Sequence, residues 1–349
     1  MQFIHDWLPQ RVRFASGNAA EAVADEVRRL EASRVMAIAS DAARAEPVLA
    51  GVPVAVLHTD VAMHVPVEVA ERARAVAAEH GVDALVCVGG GSTTGLAKAV
   101  ALTTGLPIVA VPTTYAGSEA TDVWGLTADG RKTTGIDPLV LPRAIVYDAT
   151  LVLGLPVPTS VASGLNALAH CVDAMWGPRA DPIDRSLALE GIRALRDGLP
   201  RVVEDPMEPS AREQTLYGAY LAAVAFASAG SGLHHKICHV LGGMFDLPHA
   251  ETHAVVLPYV VALNAPSVPD LDRRMADAFA AGSALAGLLD LKRELGAPRA
   301  LRDLGLRAED IPEAVRPILD AAPSNNPTPV TPENIESLLR SAWAGEEPA

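Results

Sequence analysis

The sequence is poor in cysteine, and its cysteines are not arranged as a scaffold. Among 349 residues there are three, Cys87, Cys171 and Cys238, which lie far apart and form no Cys-x-x-Cys pair. An odd number of isolated cysteines is typical of reduced thiols that act as small core residues. The pattern argues against a disulfide framework and against a zinc ribbon.

Positive charge is also scarce. The sequence has 28 lysines and arginines against 42 aspartates and glutamates, which gives a net charge of −14. General nucleic-acid binding requires a basic face for phosphate contacts, so the charge argues against it. The same charge repels an anionic substrate at long range, and such a substrate would need a local positive patch.

Long apolar runs are absent as well. No run approaches the roughly 18 to 20 residues that span a bilayer. The first residues, MQFIHDWLPQRV, have neither the basic start nor the apolar core of a secretion signal. We therefore expect a cytoplasmic protein without membrane contact. Its length, with 50% hydrophobic and 20% charged residues, suits two globular domains.

The first half of the sequence alternates short β-rich runs with helical ones. Apolar runs that end at Gly, Pro or Asp predict five buried strands, at 34–40, 52–58, 83–90, 106–113 and 143–148. Residues 18–30 and 66–81 have apolar positions at helical spacing. This alternation predicts an α/β domain with a parallel sheet over residues 1–154, and a nucleotide-binding role for it.

The pattern changes after LVLGLPVPTS, residues 151–160. From about residue 158 onward the sequence is almost entirely helical, with long apolar stripes and short breaks that are typical of a helical bundle. We predict an all-α domain over residues 155–349. The active site is expected in the cleft between the two halves.

A glycine-rich turn, VCVGGGSTTGLAKAVAL, links one predicted strand to a helix. Gly90 and Gly91 allow close approach of the backbone to a ligand, and a helix that starts at Ser92 and Thr93 presents N–H groups to a phosphate. A purely structural turn is the alternative. The turn also lacks the Gly-x-Gly-x-x-Gly spacing that follows the first strand of a Rossmann unit.

Two further polar positions follow predicted strands. Asp41 comes after RVMAIAS, where a carboxylate can accept hydrogen bonds from a ribose diol and repel a 2′-phosphate, which favours NAD over NADP. A helix N-cap is an equally good interpretation of Asp41. The run VPTTYAGSEATD, residues 111–122, offers small and hydroxyl side chains that could line the nicotinamide ribose.

Histidines are concentrated in the helical half, a pattern that suggests a divalent metal site. The cluster comprises Asn166 and His170 in GLNALAHC, His234, His235, Lys236 and His239 in GLHHKICHVLGG, and His249 in DLPHAETH. On a helix, residues four apart share a face, as do His235 and His239. The segment LGGMFDLP can break the helix and return His249 toward this pair.

Together these segments resemble the iron-containing, or group III, alcohol dehydrogenase family, and within it the maleylacetate reductase branch. The resemblance extends through IASD, GGGSTTGLAKA, PTTYAGSEAT, SGLNALAHCVDA and HHKICHVLGGMFDLPHAETHA to the carboxyl-terminal tail. Its most specific part is His-x3-His-x9-His with an upstream histidine. The resemblance implies a dehydroquinate synthase-like architecture, an NAD(P)-binding domain followed by a helical domain, and a homodimer.

The resemblance also implies a ligand set, from which this sequence departs. Metal-dependent members hold Fe²⁺ or Zn²⁺ with one aspartate and three histidines, at the positions of Asn166, His170, His235 and His249 here. Asparagine offers only a neutral carbonyl to a dication, although three histidines alone can form a catalytic zinc site. The reductase branch implies a vestigial site without metal.

The cofactor implied is NADH, with NADPH as an alternative. The predicted cofactor-binding residues are Asp41, Gly90, Gly91, Ser92, Thr93, Thr113, Thr114, Ser118, Thr121 and Lys132. Many alcohol-oxidising relatives have an aspartate where this sequence has Gly95, whereas Lys98 is retained.

The activity implied is the NAD(P)H-dependent reduction of the carbon–carbon double bond of maleylacetate, a dicarboxylate, to 3-oxoadipate during degradation of aromatic compounds. Imidazoles would stabilise the developing enolate, and His239 or His249 would donate the proton. His235 and His170 complete the predicted catalytic set, and the missing aspartate is expected to make the cluster more cationic. Predicted substrate contacts are Asn166, His170, His234, His235, Lys236, Tyr115 and Asn326.

Other interpretations stay open. A metal-dependent alcohol or lactaldehyde-type dehydrogenase that tolerates asparagine is one, and a non-catalytic nucleotide-binding protein is another. His234 is as well explained by packing as by substrate contact, and His80 and His253 are expected to be surface or packing residues. Lys236 can simply extend to solvent.

Overall fold

A computed structural model describes residues 2–5, 8–128 and 131–348, without the side chains of Arg131 and Lys132. The chain divides into two compact units. One is Leu8–Leu155, and the other combines Met1–Trp7 with Pro156–Ala349.

The first unit is built on a parallel sheet. Its eight strands are β1 (Arg11–Phe14), β2 (Val35–Ile38), β3 (Val54–His58), β4 (Ala84–Gly89), β5 (Ile108–Pro112), β6 (Val123–Ala128), β7 (Arg131–Ile136) and β8 (Ala144–Tyr147). Six of them form one sheet in the order β1-β8-β5-β4-β2-β3, in which every pairing is parallel. The predicted parallel sheet is confirmed, and all five predicted strands belong to it.

Helices cover both faces of this sheet. They are α1 (Ala19–Arg29), α2 (Ala42–Ala45), α3 (Val67–Glu79) and α4 (Gly91–Thr104). Successive residues of a strand point to opposite faces, so Val86 of β4 packs in the core beneath α1, whereas Leu85 and Cys87 pack beneath α3 and α4. Each such side chain contributes about 1.5–3 kcal/mol when fully buried. Apolar residues at every position of β4 are thus explained by burial on two sides.

Three adjacent strands end at the edge that carries the candidate cofactor residues. In the sheet, β4 lies between β2 and β5. The chain continues from β2 to Asp41, from β4 to Gly90 and from β5 to Thr113. The strand order reverses between β2 and β4, and in open α/β sheets ligands bind at the carboxyl ends of the strands beside such a reversal.

The second unit is helical. Its helices are α5 (Val157–Trp176), α6 (Pro182–Glu204), α7 (Pro209–Ala229), α8 (Leu233–Phe245), α9 (His249–Asn264), α10 (Pro269–Phe279), α11 (Ala284–Glu294), α12 (Ile311–Ala321) and α13 (Pro332–Ala344). The described part of this unit contains no strand. The predicted fold class is therefore confirmed, an α/β domain followed by an all-α region.

Helix α5 is the central helix of this unit. From Ser160 to Trp176 every residue is buried, as expected for a helix that is packed on all sides. Glycines permit close approach at its contacts: a Cβ atom on Gly191 of α6 would lie 2.7 Å from the sulfur of Cys171. The residues Asn166, His170 and Asp173 are thus carried by the least exposed helix of the unit.

Among the described helices, none is by itself both long enough and apolar enough to cross a membrane. Only α7 and α8 taken together reach that length and composition, and they are bent by 97° at their junction.

Candidate active site

The glycine turn after β4 begins α4 without a capping side chain. Gly90 is the N-cap, and no side chain accepts from the first N–H groups of α4. A Cβ atom on Gly90 would lie 2.9 Å from Cγ2 of Thr114, so only glycine fits without a shift of the neighbouring loop. Uncapped N–H groups and the positive end of the helix dipole suit a phosphate. The site therefore fits the dinucleotide that the sequence implies.

Asp41 caps a short helix. Its carboxylate accepts a hydrogen bond from Arg44 N at 3.2 Å and pairs with the Arg44 guanidinium at 3.3 Å. The capping interpretation is thus confirmed. The side chain is nevertheless 53% exposed at the carboxyl end of β2, so a contact with a ribose stays a prediction.

The hydroxyl-rich loop after β5 is fastened to α4 by Lys98. The ammonium group, buried within the fold, donates to Thr121 O at 2.8 Å, Thr121 Oγ1 at 3.1 Å and Val123 O at 2.8 Å. Burial lowers the pKa of Lys98 to about 7, although the nearby Glu119 carboxylate opposes the shift. The family lysine therefore holds the loop in place from inside the domain.

Several predicted ligand contacts in this domain conflict with burial. Tyr115 is 0% exposed, Thr93 is 2% exposed and Thr121 is 7% exposed with its hydroxyl bonded to Lys98. Tyr115 thus lies in the interior, and its substrate contact stays a prediction. Thr114 and Ser118 are half-buried and remain open to a ligand. The side chain of Lys132 lies outside the described residues.

Six histidines from three helices form one cluster in the second unit. Helix α5 supplies His170, α8 supplies His234, His235 and His239, and α9 supplies His249 and His253. Ring centroids lie 4.9 Å apart for His170 and His235, 6.0 Å for His235 and His239, and 6.1 Å for His239 and His249. The predicted shared face of His235 and His239 and the return of His249 are both confirmed.

His253 completes the cluster from its interior. Its ring centroid is 4.6 Å from that of His235 and 4.5 Å from that of His249, and its side chain is fully buried. His234 Nε2 lies 2.9 Å from His253 Nδ1, so the two imidazoles share a hydrogen bond. Packing is therefore the role of His253, as predicted. The side chain of His234 is also fully buried, which favours packing, and its substrate contact stays a prediction.

Asp173 orients His235, a role that the sequence does not predict. Its Oδ2 atom accepts from His235 Nδ1 at 2.7 Å, from His235 N at 3.2 Å and from Gly232 N at 3.1 Å. A histidine that donates through Nδ1 presents Nε2 as an acceptor, and this Nε2 has no hydrogen-bond partner among the described residues. In the sequence, this role is indicated only by the position of Asp173, three residues after His170. Phe226 of α7, 4.3 Å from the His235 ring, gave no sign in the sequence.

Burial makes the inner histidines neutral. It lowers the pKa of His170 and His234 to about 3, and neighbouring imidazoles lower these pKa values further. It also lowers the pKa of His235 and His253 well below the ordinary value. The prediction of a more cationic cluster is therefore wrong for these four residues, since desolvation outweighs the loss of a neighbouring carboxylate.

The outer histidines differ from the inner ones in exposure. His239 and His249 are exposed, and Lys236 is half-buried. The two rings are stacked, with an angle of 19° between their planes. This pair is accessible to a substrate, whereas His234 and His253 are not.

The residues at the metal-ligand positions fit a dication poorly. Asn166, 4% exposed, contributes a neutral carbonyl oxygen that has no partner among the described residues. The ligand atoms that converge within 4.8 Å here belong to His234, His235 and His253, and two of these rings already bond to each other. No carboxylate takes part, and Asp173 is engaged behind His235. The set offers a metal little charge and few converging lone pairs.

Two other predicted positions have structural roles. The Asn326 amide donates to Asn264 Oδ1 and to Thr328 O, both at 2.8 Å, and accepts from Asn264 Nδ2 at 3.0 Å. These bonds fasten its loop to the end of α9, so the predicted substrate contact is not supported. His80 ends α3, where its Nδ1 lies 3.0 Å from Val76 O, and is a packing residue as predicted.

Comparison with known proteins agrees with this fold. The family model "Iron-containing alcohol dehydrogenase" matches residues 9–149, and "Fe-containing alcohol dehydrogenase family, C-terminal" matches residues 160–343. An oxidoreductase class is thereby defined, and the chain belongs to the iron-containing alcohol dehydrogenase family. The resemblance seen in the sequence is confirmed.

Particular members of this family match over nearly the whole length. A maleylacetate reductase from Sphingobium indicum is 45% identical, with 100% of this chain and 99% of the relative covered. The crystal structure of a maleylacetate reductase from Agrobacterium tumefaciens is 42% identical, with a TM-score of 0.94 and full coverage of both chains. That of an iron-containing alcohol dehydrogenase from Corynebacterium glutamicum is 57% identical, with a TM-score of 0.98 and coverage of 100% and 99%.

Proposed function

We propose that the chain is an NAD(P)H-dependent maleylacetate reductase, which reduces the carbon–carbon double bond of maleylacetate to give 3-oxoadipate. The full-length similarity to maleylacetate reductases supports the substrate. The proposal depends mainly on Asn166, which places a neutral amide beside neutral imidazoles. The resemblance implies that metal-dependent members of the family have a carboxylate ligand at this position.

The cofactor proposed is NADH, with NADPH as the alternative. The start of α4 at Gly90 and Gly91 would hold the pyrophosphate, and Asp41 would contact the adenosine ribose. When bound, the nicotinamide supplies the hydride that goes to the alkene carbon β to the ketone. The half-buried hydroxyls of Thr114 and Ser118 would lie along the nicotinamide ribose.

The chain's own groups would stabilise the enolate and complete the reaction. Charge develops on the ketone oxygen, where preorganised hydrogen-bond donors would stabilise it. The exposed pair His239 and His249 would place one N–H near this oxygen, and a proton from the pair would go to the carbon α to the ketone. Lys236 is the cation proposed to hold a substrate carboxylate. Asp173 would keep His235 in one tautomer while this happens.

Metal independence is part of the proposal. A dication at Asn166, His170, His235 and His249 would bind without a carboxylate ligand, and the ligand atoms that converge nearby belong to a different set, His234, His235 and His253. A Lewis acid would therefore be held weakly, and stabilisation of the enolate would fall to hydrogen bonds.

One observation favours a second candidate, a metal-dependent alcohol dehydrogenase. The Corynebacterium glutamicum protein, 57% identical, is named an iron-containing alcohol dehydrogenase. Deprotonated, buried imidazoles are also the form of histidine that binds metal. This candidate predicts activity that depends on Fe²⁺ or Zn²⁺.

A homodimer, a cytoplasmic location and the division of roles between residues 1–154 and 155–349 stay predictions. Sedimentation of the purified protein tests the first directly.

One assay separates the candidate functions. NADH oxidation is followed with maleylacetate, and with a short aldehyde, before and after treatment with a chelator. Reduction of maleylacetate at an unchanged rate after chelation supports the proposed reductase. Loss of turnover on chelation, restored by Fe²⁺ or Zn²⁺, supports the dehydrogenase instead. NADH binding without turnover of either substrate contradicts both.

A further inference from the structure

A second group of metal-ligating side chains occurs at the start of α6, outside the histidine cluster. It consists of His5 from the amino-terminal segment together with Asp181 and Asp184, the N-cap and third residue of α6. One ligand atom from each lies within 4.8 Å of the other two. The side chains of Asp181 and Asp184 are 3% and 0% exposed, and that of His5 is 10% exposed.

The capping box determines which oxygens remain for a ligand. Oδ1 of Asp181 accepts from the N–H groups of Ile183 and Asp184, at 2.7 and 3.0 Å. Oδ2 of Asp184 accepts from Asp181 N at 3.3 Å. Each carboxylate thus uses one oxygen for the helix and turns the other toward His5. The remaining pair are Oδ2 of Asp181 and Oδ1 of Asp184.

One of these two oxygens is buried and unsatisfied. Oδ1 of Asp184 has no hydrogen-bond partner of standard geometry among the described residues, although the Ser228 hydroxyl interacts with this carboxylate. The same oxygen lies 3.6 Å from His5 Nδ1. Oδ2 of Asp181 is bonded to the same nitrogen at 2.8 Å. Buried polar atoms are nearly always paired, so an orphaned carboxylate oxygen that faces an imidazole points to a missing ligand.

Charge also favours a cation at this place. Two ionised carboxylates carry two negative charges, which one dication would balance. The positive end of the α6 dipole opposes a cation, but it amounts to only about half a charge and its N–H groups already bond to the capping oxygens. The net field at the free oxygens is therefore negative.

The distances suit a small transition metal. Bonds of about 2.1 Å to nitrogen and oxygen separate the ligand atoms of a tetrahedral site by roughly 3.4 Å. The distance of 3.6 Å between His5 Nδ1 and Asp184 Oδ1 already matches this value. The distance of 2.8 Å between His5 Nδ1 and Asp181 Oδ2 would lengthen when the metal replaces the proton of this hydrogen bond. Ser228 Oγ of α7, 3.4 Å from His5 Nδ1, or a water would be the fourth ligand.

We propose that His5, Asp181 and Asp184 bind one divalent transition-metal ion, such as Zn²⁺ or Co²⁺, in a structural site that fastens the amino-terminal segment to the start of α6. The site uses none of the histidine-cluster residues. The low exposure of all three ligands, rather than their number, favours a structural role over a catalytic one. The ion would link three parts of one unit, the amino-terminal segment, α6 and α7.

The test is titration of the metal-free, full-length protein with Zn²⁺ by calorimetry and with Co²⁺ by visible absorption. Asp184→Asn keeps the capping acceptor but removes the charge, and His5→Gln removes the imidazole outside any helix. His64→Asn and Asp270→Asn change an exposed histidine and an exposed aspartate elsewhere and serve as matched controls. Any binding at the histidine cluster is common to all five proteins, so differences between them report this site.

We expect the unmodified protein to bind one equivalent of Zn²⁺ at this site. Both site variants should bind this ion at least tenfold more weakly, and both controls should bind it as tightly as the unmodified protein does. Zn²⁺ should raise the melting temperature of the unmodified chain and of the controls, but not that of the site variants. Equal binding in all five proteins overturns the proposal. If circular dichroism shows that Asp184→Asn does not fold, the comparison of His5→Gln with the unmodified protein tests the proposal, because His5 lies outside the helices.

Discussion

The Nδ1 atom of His235 and the Oδ2 atom of Asp173 are 2.7 Å apart, and both side chains are buried. The same oxygen accepts the backbone N–H groups of Gly232 and His235, at the start of α8. One carboxylate therefore both caps the helix that carries three clustered histidines and orients the central imidazole. Burial raises the pKa of Asp173 to about 7, although the hydrogen bonds from these backbone N–H groups lower it.

Asp173→Asn should lower kcat for maleylacetate by about 10- to 100-fold with little change in KM. The asparagine amide can turn its NH2 group toward His235 Nδ1, and the imidazole is then no longer held in the tautomer that has a proton on Nδ1. Loss of a partner that orients a histidine typically lowers activity by this amount. Unfolding free energy should fall by about 1–3 kcal/mol, because the α8 start loses its anionic acceptor. Steady-state kinetics and urea unfolding measure the two effects.

The matched control for this prediction is Asp148→Asn. Asp148 is also a buried aspartate that accepts backbone N–H groups, from Gly17 at 2.9 Å and Thr150 at 2.8 Å, but in the first unit. It should lose similar stability and keep its kcat. An unchanged kcat in Asp173→Asn would remove the positioning role.

His239→Gln and His249→Gln test the outer histidine pair. The residue that donates the proton should lose about 10²- to 10⁴-fold in kcat when replaced, because glutamine has no proton to give at neutral pH. Since both side chains are exposed, the melting temperature should change little. His80→Gln, which alters only a helix end, is the control. Near-unmodified turnover in both variants would reject the pair as donors.

Asn166→Asp tests what the amide at this position does. A carboxylate supplies charge to a dication at the His170 end of α5, so Zn²⁺ or Fe²⁺ should bind at least about tenfold more tightly, which corresponds to about 1.4 kcal/mol. Reduction of maleylacetate should then become sensitive to chelation. Calorimetric titration of the metal-free variant measures the affinity. Equal affinities for the variant and the unmodified chain would contradict the argument from the missing carboxylate.

Asp83 gives a pH-dependent prediction for the first unit. Its carboxylate accepts from Ser33 N at 2.8 Å, Arg34 N at 2.9 Å and Ser33 Oγ at 2.8 Å. Burial raises its pKa, but these hydrogen bonds outweigh burial and lower the pKa below 3.8. A lowered folded-state pKa means that the stabilisation is present above pH 3.8 and is lost as the pH falls through the folded-state value.

Asp83→Asn should therefore destabilise the protein at pH 7 by about 1 kcal/mol, and the difference should shrink below about pH 4. Urea unfolding at pH 7 and at pH 3.5 measures it. Asp290→Asn is the control, since its carboxylate is 64% exposed in a surface ion pair and should change stability by less than about 0.5 kcal/mol at either pH. A difference that grew on acidification would contradict the assigned direction of the pKa shift.

The buried strands could be predicted from the sequence because burial on both sides leaves a continuous apolar run. Strand β1, RVRF, was missed, since a pattern that alternates arginine with apolar residues at the sheet edge forms no such run. The β6–β7 hairpin was missed for a related reason. Its two strands form a separate two-stranded sheet, and β7, RKTTGI, is mostly polar.

The site was predictable where its geometry is local. Helical spacing alone places His235 and His239 on one face. Contacts between helices are different: the bond of Asp173 to His235 joins α5 to α8 over 62 residues, and the bond of His234 to His253 joins α8 to α9. The charge of the cluster was misjudged for the same reason, since charge depends on burial, and burial depends on packing that no local pattern encodes.

The three hydrogen bonds from Lys98 to the segment after β5 have a kinetic consequence. They tie α4 to the hydroxyl-rich loop, so we expect little ordering of this loop when a dinucleotide arrives. Association of this kind is a single bimolecular step without a slow isomerisation behind it. The observed rate of the nucleotide fluorescence change in a rapid-mixing experiment should then rise linearly with nucleotide concentration, without a plateau.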